Sequence, residues 1–574
     1  MKLFYSSAVK WFAGIVLLLS CMFSAAEGVS AENRPNVIIV LTDDQGYGDV
    51  GFHNNPKIRT PHLDQLARKS IELTRFYCSP VCAPTRASLL TGRNYYRTGV
   101  IHTSRGGAKM QGDEVTLAEL LQLAGYQTGI FGKWHLGDNY PMRPQDQGFA
   151  ETLIHKSGGI GQSPDQPNSY FHPKLWKNGD AFESTGYCTD VFFDEALKFM
   201  DRQQQAEKPF FVYLATNAPH TPLEIAESYW KPYQQQGLDE TTARVYGMLT
   251  NLDENIGKLL SHLDRSGLAE STLVIFLGDN GPQQKRYTAG LRGRKSWIYE
   301  GGIRVPCLAY WPGHFREGEK IDQIAAHIDL LPTLLTLTNT PRPEALKLDG
   351  VDLSPLLTGS QQKLPERSLF FQVHRGLMPQ RYQNFAVVTE RFKLAGYPGT
   401  FGNENLRLQA VPVLELYDLS NDPGEQENVL HAHPETVKDL LSQYEAWFSE
   451  MKAARNFEPG LIVIDQMKEH PSVLCRYQDG TFQRGVSEGW MVKIVRAGLY
   501  QIKIKRQTEK PGKLFVNWQG RTVHEYLAAE ESTAEFELKA GTGLLDICFQ
   551  AEGEDRIYPG DNSTRGDVVL TQMK

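Results

Sequence analysis

The sequence predicts an α/β protein: a large mixed, mostly parallel sheet sandwiched by helices, then a small antiparallel subdomain, then an all-β sandwich. Three observations carry that prediction. Asn36–Leu41, Gly129–Phe131, Phe210–Ala215 and Leu273–Leu277 are continuous rather than alternating apolar runs, the mark of strands covered on both faces. Segments of helical periodicity lie between them, at Pro61–Lys69, Leu117–Leu123, Asp190–Asp201 and Ala243–Leu263. Strands alternating with helices make parallel crossovers. After Met451 the period falls to two, as in Leu499–Ile504 and Ala534–Leu538, which reads as half-buried antiparallel strands of a sandwich.

Taken in order, the chain opens with Lys2 and Lys10 flanking the apolar run Trp11–Phe23, followed by small residues. This is the pattern of a signal peptide, assigned to 1–31, with cleavage near Ser24-Ala25-Ala26 or Val29-Ser30-Ala31. The run is shorter than the roughly 20 apolar residues that span a bilayer. Leu18-Leu19-Ser20-Cys21 resembles a lipoprotein box, so Cys21 is a candidate lipid anchor. The expectation is an exported protein, periplasmic or secreted, with no transmembrane segment after the signal. Residues 34–365 form the α/β domain. A smaller α+β subdomain, 366–450, holds short strands at Phe385–Val388, Lys393–Leu394 and Glu415–Tyr417 and a closing helix at Pro434–Phe448. The sandwich spans 456–574.

Composition narrows the function. Of 574 residues, 60 are Lys or Arg and 67 are Asp or Glu, a net charge of −7. A nucleic-acid partner is excluded on that balance, because phosphate contacts need a basic face. Seven cysteines include Cys21; the six others are too scattered for a disulfide framework. A Cys475–Cys548 bridge is left open by spacing, and Cys78 and Cys82 lack partners at zinc-ligand spacing.

Ligands of open parallel sheets bind beyond the carboxyl ends of the strands. Two runs end there in acidic or amide residues, Asp43-Asp44 and Asp279-Asn280. Asx residues often merely cap such turns. Converging together, three carboxylates and an amide oxygen repel unless a hard cation neutralises them, and oxygen ligands suit Ca2+ or Mg2+. In Cys82–Gly92, Pro84 and the terminal Gly92 bracket a short helix. Cys82 then lies at its positive end, where an anion is favoured. Arg86, four residues on, shares its face and can reach back.

Cys82-Ala83-Pro84-Thr85-Arg86 with Thr91-Gly92 is the point at which the sequence resembles the formylglycine-dependent sulfatases of the arylsulfatase type, members of the alkaline-phosphatase-like superfamily. The resemblance runs from about Asn36 to Phe448 through PNVIIVLTDDQGYGDVG, RTPHLDQLA, GYQTGIFGKWHLG, NAPHTP, FLGDNG, RGRKSWIYEGGIRVP, HIDLLPTLL and ELYDLSNDPGEQEN. It implies that a formylglycine-generating maturation enzyme oxidises Cys82, and that one hydroxyl of the hydrated aldehyde attacks sulfur while the other provides the exit for sulfate. It implies one Ca2+ held by Asp43, Asp44, Asp279, Asn280 and the modified Cys82. It makes His135 the base and Arg86 the support of the diol. Lys133, His220 and Lys295 would bind sulfate oxygens, with His220 or Lys295 protonating the leaving alcohol. Lys133 and His135 would share one face if their segment is extended. Arg294 or Trp297 could crowd Lys295, and Lys156 or Ser157 could add a sulfate contact.

The resemblance implies a sulfuric ester hydrolase, and export points to a sulfated carbohydrate as substrate. The last domain resembles the accessory sandwiches of bacterial sulfatases. It reads as a buttress or a carbohydrate binder, with Trp490, Tyr500, Phe515 and Trp518 as stacking platforms or core. The rival readings are a phosphoester or phosphonate hydrolase of the same superfamily and a non-catalytic glycan-binding paralogue whose Cys82 is never converted.

Overall fold

Five strands, β1 (Asn36–Thr42), β2 (Gln127–Lys133), β3 (Glu151–His155), β4 (Phe210–Ala215) and β5 (Thr272–Gly278), run parallel in the spatial order β5-β1-β4-β2-β3 in the computed structural model. The structure describes residues 34–374, 378–396, 413–483, 486–505, 508–554 and 567–573. The leader, with Trp11–Phe23 and Cys21, lies outside them. Every residue of β1 is buried, which is why its run is continuously apolar. Antiparallel Cys307–Tyr310 pairs with β5, and Ile71–Leu73 pairs with Cys307–Tyr310, extending one edge. Lys320–Ile321 pairs parallel with Ile71–Leu73 at that edge, and the hairpin Lys174–Lys177 and Asp180–Glu183 extends the other, giving ten strands among the described residues.

Helices cover both faces: α1 (Pro61–Lys69), α2 (Cys82–Thr91), α3 (Leu117–Leu123), α4 (Cys188–Gln205) and α5 (Glu240–Arg265). Alternate β1 side chains divide between them, as strand geometry requires. Val37, Ile39 and Leu41 pack with Leu90 of α2 and Leu121 of α3, whereas Ile38 and Val40 pack with Leu63 of α1, Phe193 of α4 and Leu249 of α5. The four periodic segments therefore fall on helices, with α4 and α5 longer at both ends than their apolar patterns.

The subdomain sheet runs Leu369–Gln372, Phe385–Val388, Phe392–Gly396, Leu414–Asp418, each strand antiparallel to the next. Helix α6 (Pro434–Arg455) closes over it, with Leu440, Tyr444 and Phe448 packed on Phe385, Leu394 and Leu416. Beyond it, one sheet orders Ile462–Ile464, Val486–Ile494, Gly541–Ala551, Gly512–Trp518 and Arg521–Leu527. A second orders Ser472–Leu474, Val568–Gln572, Gly498–Ile504 and Thr533–Leu538. Val492, Val516 and Ile547 of the first share a core with Ile502, Phe536 and Leu570 of the second, so the two sheets make a sandwich.

Two alternatives left open by the sequence are decided in this region. Trp490, Tyr500 and Trp518 belong to that core. Their polar atoms are satisfied by the carbonyls of Cys475, Arg496 and Lys539, so they are not sugar platforms. Phe515 packs against His524. Cys475 and Cys548 are both buried and are not joined by a disulfide; the Cys475 thiol donates to the Ser163 carbonyl. Among the described residues no helix is long and apolar enough to cross a membrane.

His327, in the turn before the helix Leu330–Leu337, hydrogen-bonds through Nδ1 with the Tyr77 carbonyl at 3.1 Å. Burial pushes its pKa from the usual 6.5 down to about 4. A depressed folded-state pKa means that the unfolded chain binds the proton first. Stability from this group is complete above pH 6.5 and is lost as pH falls toward 4, by about 1.4 kcal/mol per pH unit. Urea unfolding across pH 4.5–6.5 should show that slope reduced in His327→Asn; equal slopes would contradict it.

Candidate active site

Parallel register places the two acidic tips together. Thr42 lies opposite Gly278, so Asp43-Asp44 and Asp279-Asn280 leave adjacent strands side by side. Asp44 turns back in a left-handed conformation, φ 66°. Its amide donates to Asp279 Oδ1 at 3.1 Å, and Asn280 Nδ2 donates to Asp44 Oδ1 at 2.8 Å. Arg286 holds the turn from outside, donating to the Asp44 carbonyl at 2.7 Å while paired with Asp49. All four tip residues are buried.

The tips fit a cation. Asp43 Oδ1, Asp44 Oδ2 and Asn280 Oδ1 are buried without hydrogen-bond partners among the described residues, an arrangement that costs free energy unless something accepts their lone pairs. Ligating atoms of Asp43, Cys82 and Asp279 lie within 4.8 Å of one another, as do those of Asp43, Asp44 and His220. Burial disfavours the Asp43 carboxylate, yet Lys133, His220, Arg86 and Lys295 hold it well below the usual range. Burial and the neighbouring Asp43 charge push Asp279 up to about 7. Two carboxylates this close cannot both ionise comfortably, and a divalent cation removes the conflict. The all-oxygen tip set favours Ca2+ or Mg2+.

Cys82 is the first residue of α2 and points into this cluster. Val81 before it is extended, and Gly92 ends the helix at φ 64°. Burial raises the thiol pKa despite Lys133 and Lys295. As an unmodified thiol it is a poor nucleophile at neutral pH. Arg86 does not bond back to Cys82: it donates to Asp279 Oδ2 at 2.8 and 3.2 Å and to the Lys133 carbonyl at 2.8 Å. It thereby ties α2 to both β5 and β2.

Lys133 ends β2 and donates to Asp43 Oδ2 at 2.7 Å. His135 stands beyond the strand at φ 61°, so the two share the site through a turn, not through extended alternation. The Thr103 carbonyl, 2.8 Å from His135 Nε2, can only accept, so Nε2 carries the proton. Nδ1 is then the basic nitrogen, 3.5 Å from Cys82 Sγ. Burial, with Lys133 nearby, keeps the ring neutral by holding its pKa well below 6.5. His220 is fixed the other way round. Its Nδ1 donates to the Thr221 carbonyl at 2.7 Å, leaving Nε2 3.9 Å from Asp44 Oδ2. Lys295 lies 2.6 Å from Asp44 Oδ1. Burial opposes its charge, but Asp44 outweighs this and keeps it protonated.

Thus ten residues assigned from sequence converge on one cluster: Cys82, Arg86, Lys133, His135, His220 and Lys295 around Asp43, Asp44, Asp279 and Asn280. The sulfatase family model matches residues 35–340, and the N-sulphoglucosamine sulphohydrolase C-terminal model matches 293–453.

The chain belongs to the sulfatase family.

Human arylsulfatase A is 34% identical over 503 residues, covering 77% of this chain and 93% of its own length. N-acetylgalactosamine-6-sulfatase of Canis lupus familiaris is 33% identical over 395 residues, 64% of this chain and 73% of that protein. The solved structure of Ps i-CgsB in complex with k-i-k-neocarrahexaose superposes with TM-score 0.64 at 28% identity, over 72% of this chain and 92% of that one. A phosphonate monoester hydrolase of Agrobacterium radiobacter, at 19% identity and TM-score 0.54 over 73% of this chain and 96% of that one, shares the fold. This sulfatase is accordingly a sulfuric ester hydrolase.

Lys156 and Ser157 turn elsewhere. The Lys156 ammonium sits 3.6 Å over the Trp176 ring, and the Ser157 hydroxyl donates to Gln478 Oε1 at 3.3 Å. What lies against the histidines is Gly158 and Gly159, which the sequence reading passed over. A Cβ on Gly158 would be 2.7 Å from the His135 ring, and one on Gly159 would be 3.0 Å from that of His220. Gly158→Ala must therefore displace the His135 imidazole. We expect kcat to fall at least about tenfold while the unfolding midpoint stays close to wild type, read by steady-state kinetics and thermal melting. Thr103 and Arg286 were also missed. A backbone carbonyl has no residue-type signature, and a lone arginine in a loop reads as surface charge.

Proposed function

We propose that this sulfatase hydrolyses sulfate monoesters on extracellular sulfated glycans, using a formylglycine formed from Cys82 and one bound Ca2+. The observation that supports it is a neutral thiol at the first turn of α2, facing the Nδ1 lone pair of His135 and three partnerless buried oxygens. A thiol so placed has no evident chemistry of its own. A hydrated aldehyde there offers one hydroxyl to attack sulfur and a second whose deprotonation expels sulfate and restores the carbonyl. Asp43, Asp44, Asp279, Asn280 and residue 82 would hold the Ca2+, which supplies Lewis-acid polarisation of the ester and favours the ionised hydroxyl.

The rest follows from side chains in view. Lys133 on Asp43 and Lys295 on Asp44 are placed to take sulfate oxygens. His135, neutral with Nδ1 free, takes the proton from the second hydroxyl of residue 82. Its fixed Nε2–H keeps Nδ1 available throughout. Lys295, kept protonated beside Asp44, would supply the proton to the leaving oxygen, and His220, whose Nε2 carries none in its Nδ1–H form, would relay one only after accepting it. Arg86 holds α2, β2 and β5 in register around residue 82. The leader at 1–31 supports export, periplasmic or secreted, with Cys21 as its candidate lipid site. Spans 34–365 and 366–450 make the catalytic body, and 456–574 is its accessory sandwich.

The relatives named for N-acetylgalactosamine-6-sulfate and a neocarrahexaose complex support a sulfated sugar as substrate. Co-expression with a formylglycine-generating enzyme tests the reading. Mass analysis should find the aldehyde at residue 82, and sulfate release from a panel of sulfated mono- and oligosaccharides should depend on added Ca2+. Folded protein carrying the aldehyde but releasing no sulfate from any of them would overturn it.

A further inference from the structure

The accessory sandwich reaches the catalytic base. Its short helix Arg476–Asp479 is anchored in the sandwich by Arg476, whose guanidinium donates to the Ile547 carbonyl at 2.7 Å and lies 4.5 Å over the Trp490 ring. From that footing the helix grips the loop after Val100. The amides of Arg105 and Gly106 donate to the carbonyls of Tyr477 and Gln478, each at 2.8 Å. Lys109 Nζ donates to the Asp479 carbonyl at 3.0 Å. Gln478, Asp479 and Lys109 are all buried.

At the centre of this contact is the Gln478 side chain. Its Nε2 donates to the Thr103 carbonyl at 3.4 Å, the same oxygen that takes the Nε2 proton of His135 at 2.8 Å. Its Oε1 accepts from the Ser157 hydroxyl at 3.3 Å, at the start of the Gly158-Gly159 segment that lies on both histidine rings. The amide orientation is fixed by chemistry, since a carbonyl can only accept. One side chain from the last domain therefore joins the two loops that enclose the imidazoles, although it lies 343 positions from His135 in sequence (478 − 135).

We propose that Gln478 is a positioning residue for His135, so that the C-terminal sandwich is an integral wall of the active site. It rests on the reading of His135 as the base for sulfate departure. Partners one step removed from a metal-ligating imidazole set its tautomer and orientation, and their loss typically costs 10–100-fold; the hydrogen bond on one ring nitrogen sets the state of the other in the same way for an imidazole that acts as a base. Gln478 acts on the half-reaction in which sulfate leaves residue 82, not on the first attack.

Gln478→Met keeps the shape and removes both hydrogen bonds; Gln478→Glu keeps the acceptor for Ser157 and loses the donor to Thr103. With p-nitrophenyl sulfate and enzyme carrying the aldehyde, both variants should release one equivalent of nitrophenol in a rapid burst. The steady rate should then fall about tenfold, with the burst rate near wild type. A second readout needs no turnover. Nitrogen-15 NMR of histidine-labelled protein retaining the Cys82 thiol should show His135 as the Nε2–H tautomer in wild type and as a mixture of tautomers in Gln478→Met. A Met variant with wild-type tautomer and wild-type steady rate overturns the proposal. Wild-type enzyme that carries the aldehyde yet is inactive on sulfate esters, with the tautomer shift still seen in Gln478→Met, would overturn the catalytic reading alone. If the Met variant fails to accumulate, Gln478→Glu carries both measurements.

Discussion

Asp279→Asn should abolish sulfate ester hydrolysis while leaving the protein folded. The side chain keeps its shape and an oxygen for Arg86, but it withdraws one negative charge from the cluster that would hold the cation. Expected are loss of bound calcium by elemental analysis and a fall in kcat/KM of at least about 10^3-fold, or about 4 kcal/mol. Asn is the informative replacement. Asp279→Ala would leave the fully buried Arg86 guanidinium with no acceptor at all from residue 279, a defect worth about 3–5 kcal/mol of stability, so its inactivity would be confounded by unfolding. An Asp279→Asn enzyme with wild-type turnover and full calcium content would contradict the ligand set.

Cys82→Ser should convert a catalyst into a reagent. A serine hydroxyl at the first turn of α2 has one oxygen, enough to attack sulfur and expel the alcohol, but no second hydroxyl to drive sulfate off. With an activated aryl sulfate we expect at most one equivalent of phenol per protein. The residue-82 peptide should then be heavier by one SO3 group, and steady turnover should fall to background. Cys82→Ala should show neither burst nor adduct. Multiple turnovers by either variant would remove residue 82 from the chemistry. An unoxidised serine differs from the converted cysteine because its carbon carries one hydroxyl, whereas the hydrated aldehyde carries two.

Both experiments probe residues that are visible in the sequence, and the reason is local. Continuous apolar runs had to be doubly covered strands, and the residues after them had to sit at one sheet edge, so Asp43-Asp44 and Asp279-Asn280 could be paired without coordinates. Pro84 and Gly92 bracketed α2 and placed Cys82 at its start. The reading of Lys133 and His135 as neighbours on one extended face reached the right site by the wrong geometry. Period-two logic ends with β2 at Lys133, and the left-handed turn at His135 belongs to the loop.

The chain's own residue order determined the α/β class, the succession of strands and helices, the α2 signature and the acidic tips, because each depends on periodicity or spacing within a short stretch. Which groups steady those side chains was decided only in three dimensions. The Thr103 carbonyl fixes the His135 tautomer, Arg286 clamps the Asp44 turn, two glycines leave room for the imidazoles, and Gln478 arrives from the far end of the chain. Backbone carbonyls, empty space and contacts across hundreds of positions leave no periodic trace in a sequence. They exist only once the sheet, the subdomain and the sandwich have packed.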